Sequence, residues 1–289
     1  KSAYGGRTIY NIVNAGEWTM DTMLEMAALG YVDRSDGDNI ASDGDQFGIV
    51  YELCDVIDGM AFGCNVQFSN KVRNNDGTDE ISIVLGTNPS ASEFASKLNE
   101  MYQATYTYNA GNSDSTLMMP IFADGNALFA INKIYMAGVY LSDMEDFAII
   151  PTPMLNASQA ETTGYSTGVH DSVTIFGVSK YSSNPIAAAA ALELMSFYGS
   201  TVVTPVFYNT VMKGRFVRDD EAAAMIDLIR DGFDSDFVAA WSWSISDVVQ
   251  CFRNETTVRS FSRYVQAQNR TFTSRLGELL EKLEVAGEL

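Results

Sequence analysis

Apolar positions recur along this chain at two periods, and the changes of period mark its elements. In MDTMLEMAA, Met20, Met23, Leu24 and Ala27 fall at helical spacing, and Thr19 is placed to cap the first turn. A short helix over 9–13 and a turn at Gly16-Glu17-Trp18-Thr19 precede it. The long apolar stretch FGIVYELCDVIDGMAFGCNVQF, residues 47–68, reads as a helix that turns at Gly59 and Gly63 into a short strand. NNDGTDE at 74–80 is a turn between two strands, the second being ISIVL at 81–85. Ser90 or Ser92 then starts a helix that carries Phe94, Leu98 and Tyr102 on one face.

A Gly/Asn/Ser stretch at 109–116 reads as an exposed loop. Beyond it the pattern predicts a strand over 127–131, a short helix over 135–141 and a strand over 147–150 ended by Pro151 and Pro153. A polar loop over 154–171 leads to a strand over 173–178. Asn184-Pro185 opens a helix over 186–198, because proline is tolerated where a first-turn N–H has no partner. Further helices are predicted over 220–230, 244–252 and 273–285. Strands alternating with longer helices predict an α/β protein.

The chain has 289 residues, 46% of them hydrophobic, which suffices for a large core or two smaller lobes. Its net charge of −19 argues against nucleic acid and anionic membrane surfaces, which need clustered Lys and Arg. No membrane span is expected, since the apolar runs at 129–139 and 187–197 are short and carry Lys133 and Glu193. Cys54, Cys64 and Cys251 form no CxxC pair. Plain buried thiols are the favoured reading, with a Cys54–Cys64 bridge as the alternative.

Most catalytic arrangements fail on residue type. His170 is the one histidine, so a His-rich metal site is impossible, and no GxSxG, GxxxxGK[ST] or strand-linked GxGxxG occurs. A carboxylate-dependent glycoside-acting enzyme stays open as an alternative, since 37 acidic residues supply candidates and their spacing in space is not legible. The cluster Asp143, Glu145 and Asp146 reads as the polar end of a helix. DRSDGDNIASDGDQFG, residues 33–48, begins like a calcium loop, with Asp33, Ser35 and Asp38 as hard oxygen ligands. It then departs from the EF-hand pattern at its sixth and twelfth positions, leaving a solvated loop held by Asx turns as the other reading. No cofactor is expected, calcium being the one ion this loop admits.

Seven spellings in order, GEWTMDTMLEMA, DRSDGD with DQFGI, GNALFAIN, DFAIIPTPM, VTIFGVSK and NPIAAAAALELMSFYGS, resemble the extracellular solute-binding proteins of ABC importers. The similarity is greatest to the carbohydrate-type, maltose-binding-protein-like group. It implies a periplasmic-binding-protein-like (type II) α/β fold with hinge-crossing strands and most of the first lobe absent. Residues 1–146 and 186–289 would form the second lobe, and 147–185 the crossing segment. Unpaired strands there would invite a homodimer.

The resemblance further implies a noncatalytic protein that binds a sugar or oligosaccharide and delivers it to a permease. It would be extracellular and lipid-anchored at the cell surface in its full-length form. The implied ligand-binding residues are Tyr135, Trp241 and Trp243 as stacking faces, with Asn132 and Asp247 as polar groups. Trp18 is expected to be structural. An interaction domain that has lost transport is the remaining alternative.

Overall fold

A computed structural model describes residues 4–35, 37–38, 40, 42, 44–75, 79–112, 115–169, 176–216 and 219–287. The chain is a mixed α/β protein with small parallel sheets. It opens with helices α1 (Ile9–Asn14) and α2 (Met20–Gly30), strand β1 (Phe47–Tyr51), helix α3 (Asp55–Gly63), and strands β2 (Ser69–Arg73) and β3 (Asp79–Ile83). Helix α4 (Pro89–Gln103), strand β4 (Thr107–Asn109), helix α5 (Ser115–Ala123), strand β5 (Ala127–Ala130) and helix α6 (Met136–Tyr140) follow. Next come helix α7 (Ala157–Ala160), strand β6 (Thr167–Gly168) and helix α8 (Pro185–Tyr198).

Helix α2 forms as its stripe predicts. Thr19 Oγ1 accepts from the Thr22 N–H at 3.3 Å, and Met20, Met23, Leu24 and Ala27 are all buried. The sheet is the main departure from the expected pattern. Phe47–Tyr51 is a strand, not a helix, and is parallel to both β4 and β5 in the order β4-β1-β5. All five of its residues are buried. A central parallel strand covered on both faces reads as a continuous apolar run, so periodicity cannot separate it from a buried helix. Helix α2 lies so close that a Cβ on Gly48 would stand 2.3 Å from the Ala27 carbonyl oxygen. Any larger residue there would force α2 off the sheet.

Trp18, Tyr51, Phe68, Phe94, Phe252 and Phe272 are the large rings of the principal core. A smaller cluster, Phe47, Val50, Met118, Met119 and Leu141, fills the other side of the sheet. Trp18 is structural, as expected: its ring is buried and its indole N–H donates to the Pro151 carbonyl at 2.9 Å. Met20 N to Met154 O at 2.8 Å and Met154 N to Trp18 O at 3.1 Å complete a clasp between the Gly-x-Trp-Thr turn and the segment after Pro151. The three cysteines are buried free thiols, which removes the Cys54–Cys64 bridge.

Residues 147–150 form no strand, because among the described residues no neighbouring strand pairs with them. Helix α4 starts at Pro89 behind an Asn88 cap, slightly earlier than the serines suggested. β4 and α5 reach into the two ends of the stretch expected to be loop, 109–116, α5 tolerating Pro120 inside it. The strand predicted over 173–178 lies outside the described residues except at 176–178, which are irregular. His170, Asp36 and Asp43 also lie outside them, as does the tip of the 74–80 turn.

From Pro185 the chain stays helical for 28 residues to Met212, passing from α8 through π-helical turns at Gly199–Val203 and Phe207–Met212. By length and composition alone this segment is long enough to cross a membrane, a point the count over 187–197 missed by ending the helix at Tyr198. Ile186 is 81% exposed and Val203 64% exposed, and no residue of α8 is buried. A helix apolar on all sides is normally covered on all sides.

The C-terminal part contains helix Asp220–Asp231, capped by Asp219, and a two-residue strand Phe233–Asp234 parallel to β6. Helix Phe237–Ala240 follows, then 3₁₀ turns at Ser242–Ile245 and Val248–Phe252, helix Glu255–Arg259 and the long helix Phe261–Gly287. The single helix predicted over 244–252 is therefore broken, and the last helix starts at Phe261, well before the expected 273. The break falls at Ser246 and Asp247, whose φ angles are +60° and +54°.

Candidate functional site

The predicted site residues fall into two groups, and a neighbour of each, Lys133 and Arg253, pairs with an aspartate of α3. The first lies at the carboxyl edge of the three-stranded sheet, where α/β proteins commonly place ligands. Asn132 comes just after β5, and Tyr135 caps α6 with half its surface exposed. Glu52, immediately past β1, is buried, and the Ser115 hydroxyl donates to its Oε1 at 2.5 Å. The Asn132 amide nitrogen donates to Ser115 Oγ at 3.2 Å, while its Oδ1 accepts from the Lys133 backbone N–H at 2.8 Å. The Lys133 ammonium pairs with Asp55 in the first turn of α3. Burial alone would lower its pKa, but the hydrogen bond and charge of Asp55 outweigh that and hold it above its usual range.

The second group sits on the broken turn. Ser242 is buried between Trp241 and Trp243, which leaves both indoles at the surface, Trp243 with 72% of its area exposed. Trp241 packs against Phe237 with ring centroids 6.3 Å apart. Two consecutive non-glycine residues in the left-handed region store strain of about 1–3 kcal/mol each. Asp247 Oδ1 is buried without a hydrogen-bond partner. Strain, and a buried carboxylate oxygen that has no partner among the described residues, thus follow the two exposed tryptophans closely in sequence.

Helix α3 connects the groups. Lys133 meets it at Asp55, and Arg253, just past the turn, meets it at Asp58, Nε donating to Oδ1 at 3.0 Å. Asp55 and Asp58 are three residues apart and so share a helix face. Asn109 at the end of β4 also reaches Glu255 at 3.5 Å. Among the described residues, no ring contact joins Tyr135 to either tryptophan, so the three aromatics do not form one stack. The resemblance did not point to Glu52, Ser115 or Lys133. The strand Phe47–Tyr51, read from the sequence as helix, is what places Glu52 first past its carboxyl end.

The aspartate loop is organised by Asp45, which was not among the expected ligands. Its carboxylate accepts from the N–H groups of Arg34 at 2.8 Å, Ser42 at 2.9 Å and Ser35 at 3.0 Å. Asp33 accepts from Gly37 N–H at 2.9 Å and Asp38 from Ile40 N–H at 2.7 Å, both turns closed on their own backbone. Ser35 Oγ lies 2.8 Å from Ser42 Oγ. Among the described residues, no three acidic, His or Cys side chains cluster as metal ligands. Asp33 and Asp38 each thus accept from a nearby backbone N–H of the loop. Asp143, Glu145 and Asp146 lie on the turn after α6.

The backbone N–H of Arg34, with those of Ser42 and Ser35, holds Asp45 well below the usual carboxylate range. Its stabilising contribution is therefore complete above the unfolded carboxylate pKa, about 3.9, and is lost as pH falls through the lower folded value. Asp45→Asn is expected to lower the melting temperature at pH 7, with the gap to wild type closing in scans taken below about pH 4. A gap that stays constant down to about pH 2 would show that the charge is not what stabilises the loop.

Comparison with known proteins adds no relative: no family model, curated protein or solved structure matches this chain.

Proposed function

We propose that this chain is the second-lobe portion of a carbohydrate-binding protein that serves an ABC importer outside the membrane. It binds a neutral sugar or oligosaccharide and hands it to a permease, and the full-length form is lipid-anchored at the cell surface. The observation that carries this reading is the Ser246–Asp247 turn, two consecutive non-glycine residues at positive φ that follow the exposed Trp241 and Trp243 by a few residues. Sugars present apolar C–H faces that stack on such rings, and hydroxyls that need fixed polar partners. The ordered motifs and the polar group at the carboxyl edge of the sheet support the same reading. Its fold is of the periplasmic-binding-protein type II kind, with 147–185 crossing to the other lobe.

The exposed 185–212 helix extends that assignment. Its apolar surface is half of an interface, and the other half belongs to the first lobe. A chain presenting this surface bare is expected to self-associate, through this helix and not through strand edges. Sedimentation velocity should find concentration-dependent oligomers that Phe197→Glu with Val203→Glu returns to monomer. A wild-type monomer at all concentrations would remove the exposed helix from the argument.

Ligand binding is tested by tryptophan fluorescence titration with neutral oligosaccharides, each followed by chromatography of the sugar. Saturable quenching with the sugar recovered intact supports binding without catalysis. Cleaved sugar would select a carboxylate enzyme instead.

A further inference from the structure

Asn132 can face a ligand with either end of its amide, and two bonds decide which. The Lys133 backbone N–H can only donate, so the atom facing it at 2.8 Å must be Oδ1. Nδ2 then faces Ser115 Oγ at 3.2 Å and donates to it. That bond requires Ser115 Oγ to be an acceptor, which holds only if its single proton goes elsewhere. Glu52 takes it: the Ser115 hydroxyl donates to its Oε1 at 2.5 Å. The Lys133 N–H orients the amide, and Glu52 completes the chain by accepting the proton that Ser115 must give up to receive Asn132.

We propose that Glu52 is a positioning residue that, acting through Ser115 and together with the Lys133 backbone N–H, holds Asn132 as a hydrogen-bond donor at the carboxyl edge of the sheet. Asn132 is half-buried, and among the described residues its second amide N–H has no partner. This edge therefore selects a ligand that offers an acceptor oxygen there, such as a sugar hydroxyl or ring oxygen, and discriminates against one that offers only a donor. The selectivity rests on the binding reading above. The proton order does not, and can be measured without any ligand.

The test is a double-mutant cycle on the full chain. Asn132→Asp places a carboxylate oxygen against a serine oxygen whose proton is already committed, so the melting temperature is expected to fall. Glu52→Gln alone is expected to change little, because the glutamine Oε1 can still accept from Ser115. In the double variant the introduced glutamine amide donates to Ser115, whose proton turns to the introduced aspartate, and most of the lost stability returns. Additive losses would overturn the proposal, since residues that merely fill space have no reason to rescue one another. Nor would rescue by a glutamine of nearly the same shape arise from a packing role.

The ligand arm uses maltose, cellobiose and sucrose as probes. Asn132→Asp in the Glu52 background should weaken any response by about tenfold, the weight of one lost hydrogen bond. If no probe stabilises the wild type, the carbohydrate reading fails while the stability cycle still decides the proton order.

Discussion

Arg253→Ala is expected to lower the unfolding free energy by about 3–5 kcal/mol, the largest stability effect of any single change considered. The Asp58 side chain is 3% exposed and that of Arg253 20%, so the pair is screened little by water. The guanidinium meets the carboxylate through two nitrogens, Nε at 3.0 Å from Oδ1 and Nη2 on Oδ2. Burial opposes the Arg253 charge, yet Asp58 outweighs it and raises the guanidinium pKa. Truncating the arginine leaves a buried carboxylate without its cation, and α3 loses its tie to the Val248–Phe252 turn. Urea denaturation provides the measure. Because two charges buried together return much of their attraction in lost hydration, Arg253→Met with Asp58→Leu should recover most of the deficit. A loss below about 1 kcal/mol for Arg253→Ala would place the pair among ordinary surface ion pairs.

Trp243→Ala should have the opposite profile. With 72% of its surface exposed, the ring contributes little to the core, so stability should change by less than about 0.5 kcal/mol. Saccharide affinity, in contrast, should fall by about 2 kcal/mol, roughly thirtyfold, if the indole is a stacking face. Trp243→Phe should retain part of the affinity. Equal affinity in Trp243→Ala and wild type would remove the second group of residues from the site. The pairing of the two variants is informative because Arg253 and Trp243 flank the same turn: one holds the turn in place and the other uses it.

The helices were legible where an amphipathic stripe met a capping residue. Met20, Met23, Leu24 and Ala27 behind Thr19 fixed α2, and Phe94, Leu98 and Tyr102 fixed the buried face of α4. Phe47–Tyr51 was not legible, because burial on both faces erases the alternation that identifies a strand. The strand expected over 147–150 failed for a different reason: strand propensity is realised only when a partner supplies hydrogen bonds, and among the described residues none does. The break at Ser246 and Asp247 carried no local signal, since glycine is the usual residue at positive φ.

The site shows the same division. Asn132, Tyr135, Trp241, Trp243 and Asp247 were named from motif order, and the structure divides them between the end of β5 and the Ser246–Asp247 turn. Glu52 and Ser115 required the parallel register of β1 with β5, which is a long-range fact. The aspartate loop shows a role that spacing alone does not reveal. Its closely spaced acids suggested an ion, and Asp33, Asp38 and Asp45 accept backbone N–H bonds that shape the loop.

Ligand-dependent thermal stability tests the central claim most directly. The 289-residue chain would be titrated with neutral mono- and oligosaccharides, and the sugar examined afterwards for cleavage. A ligand that binds only the folded state, at about a hundred times its dissociation constant, stabilises by about 2.7 kcal/mol, which a melting curve resolves easily. The expected result is a saturable rise with at least one saccharide, lost in Trp243→Ala and without product. No rise across the panel, or a rise that Trp243→Ala leaves intact, would contradict carbohydrate binding at this turn.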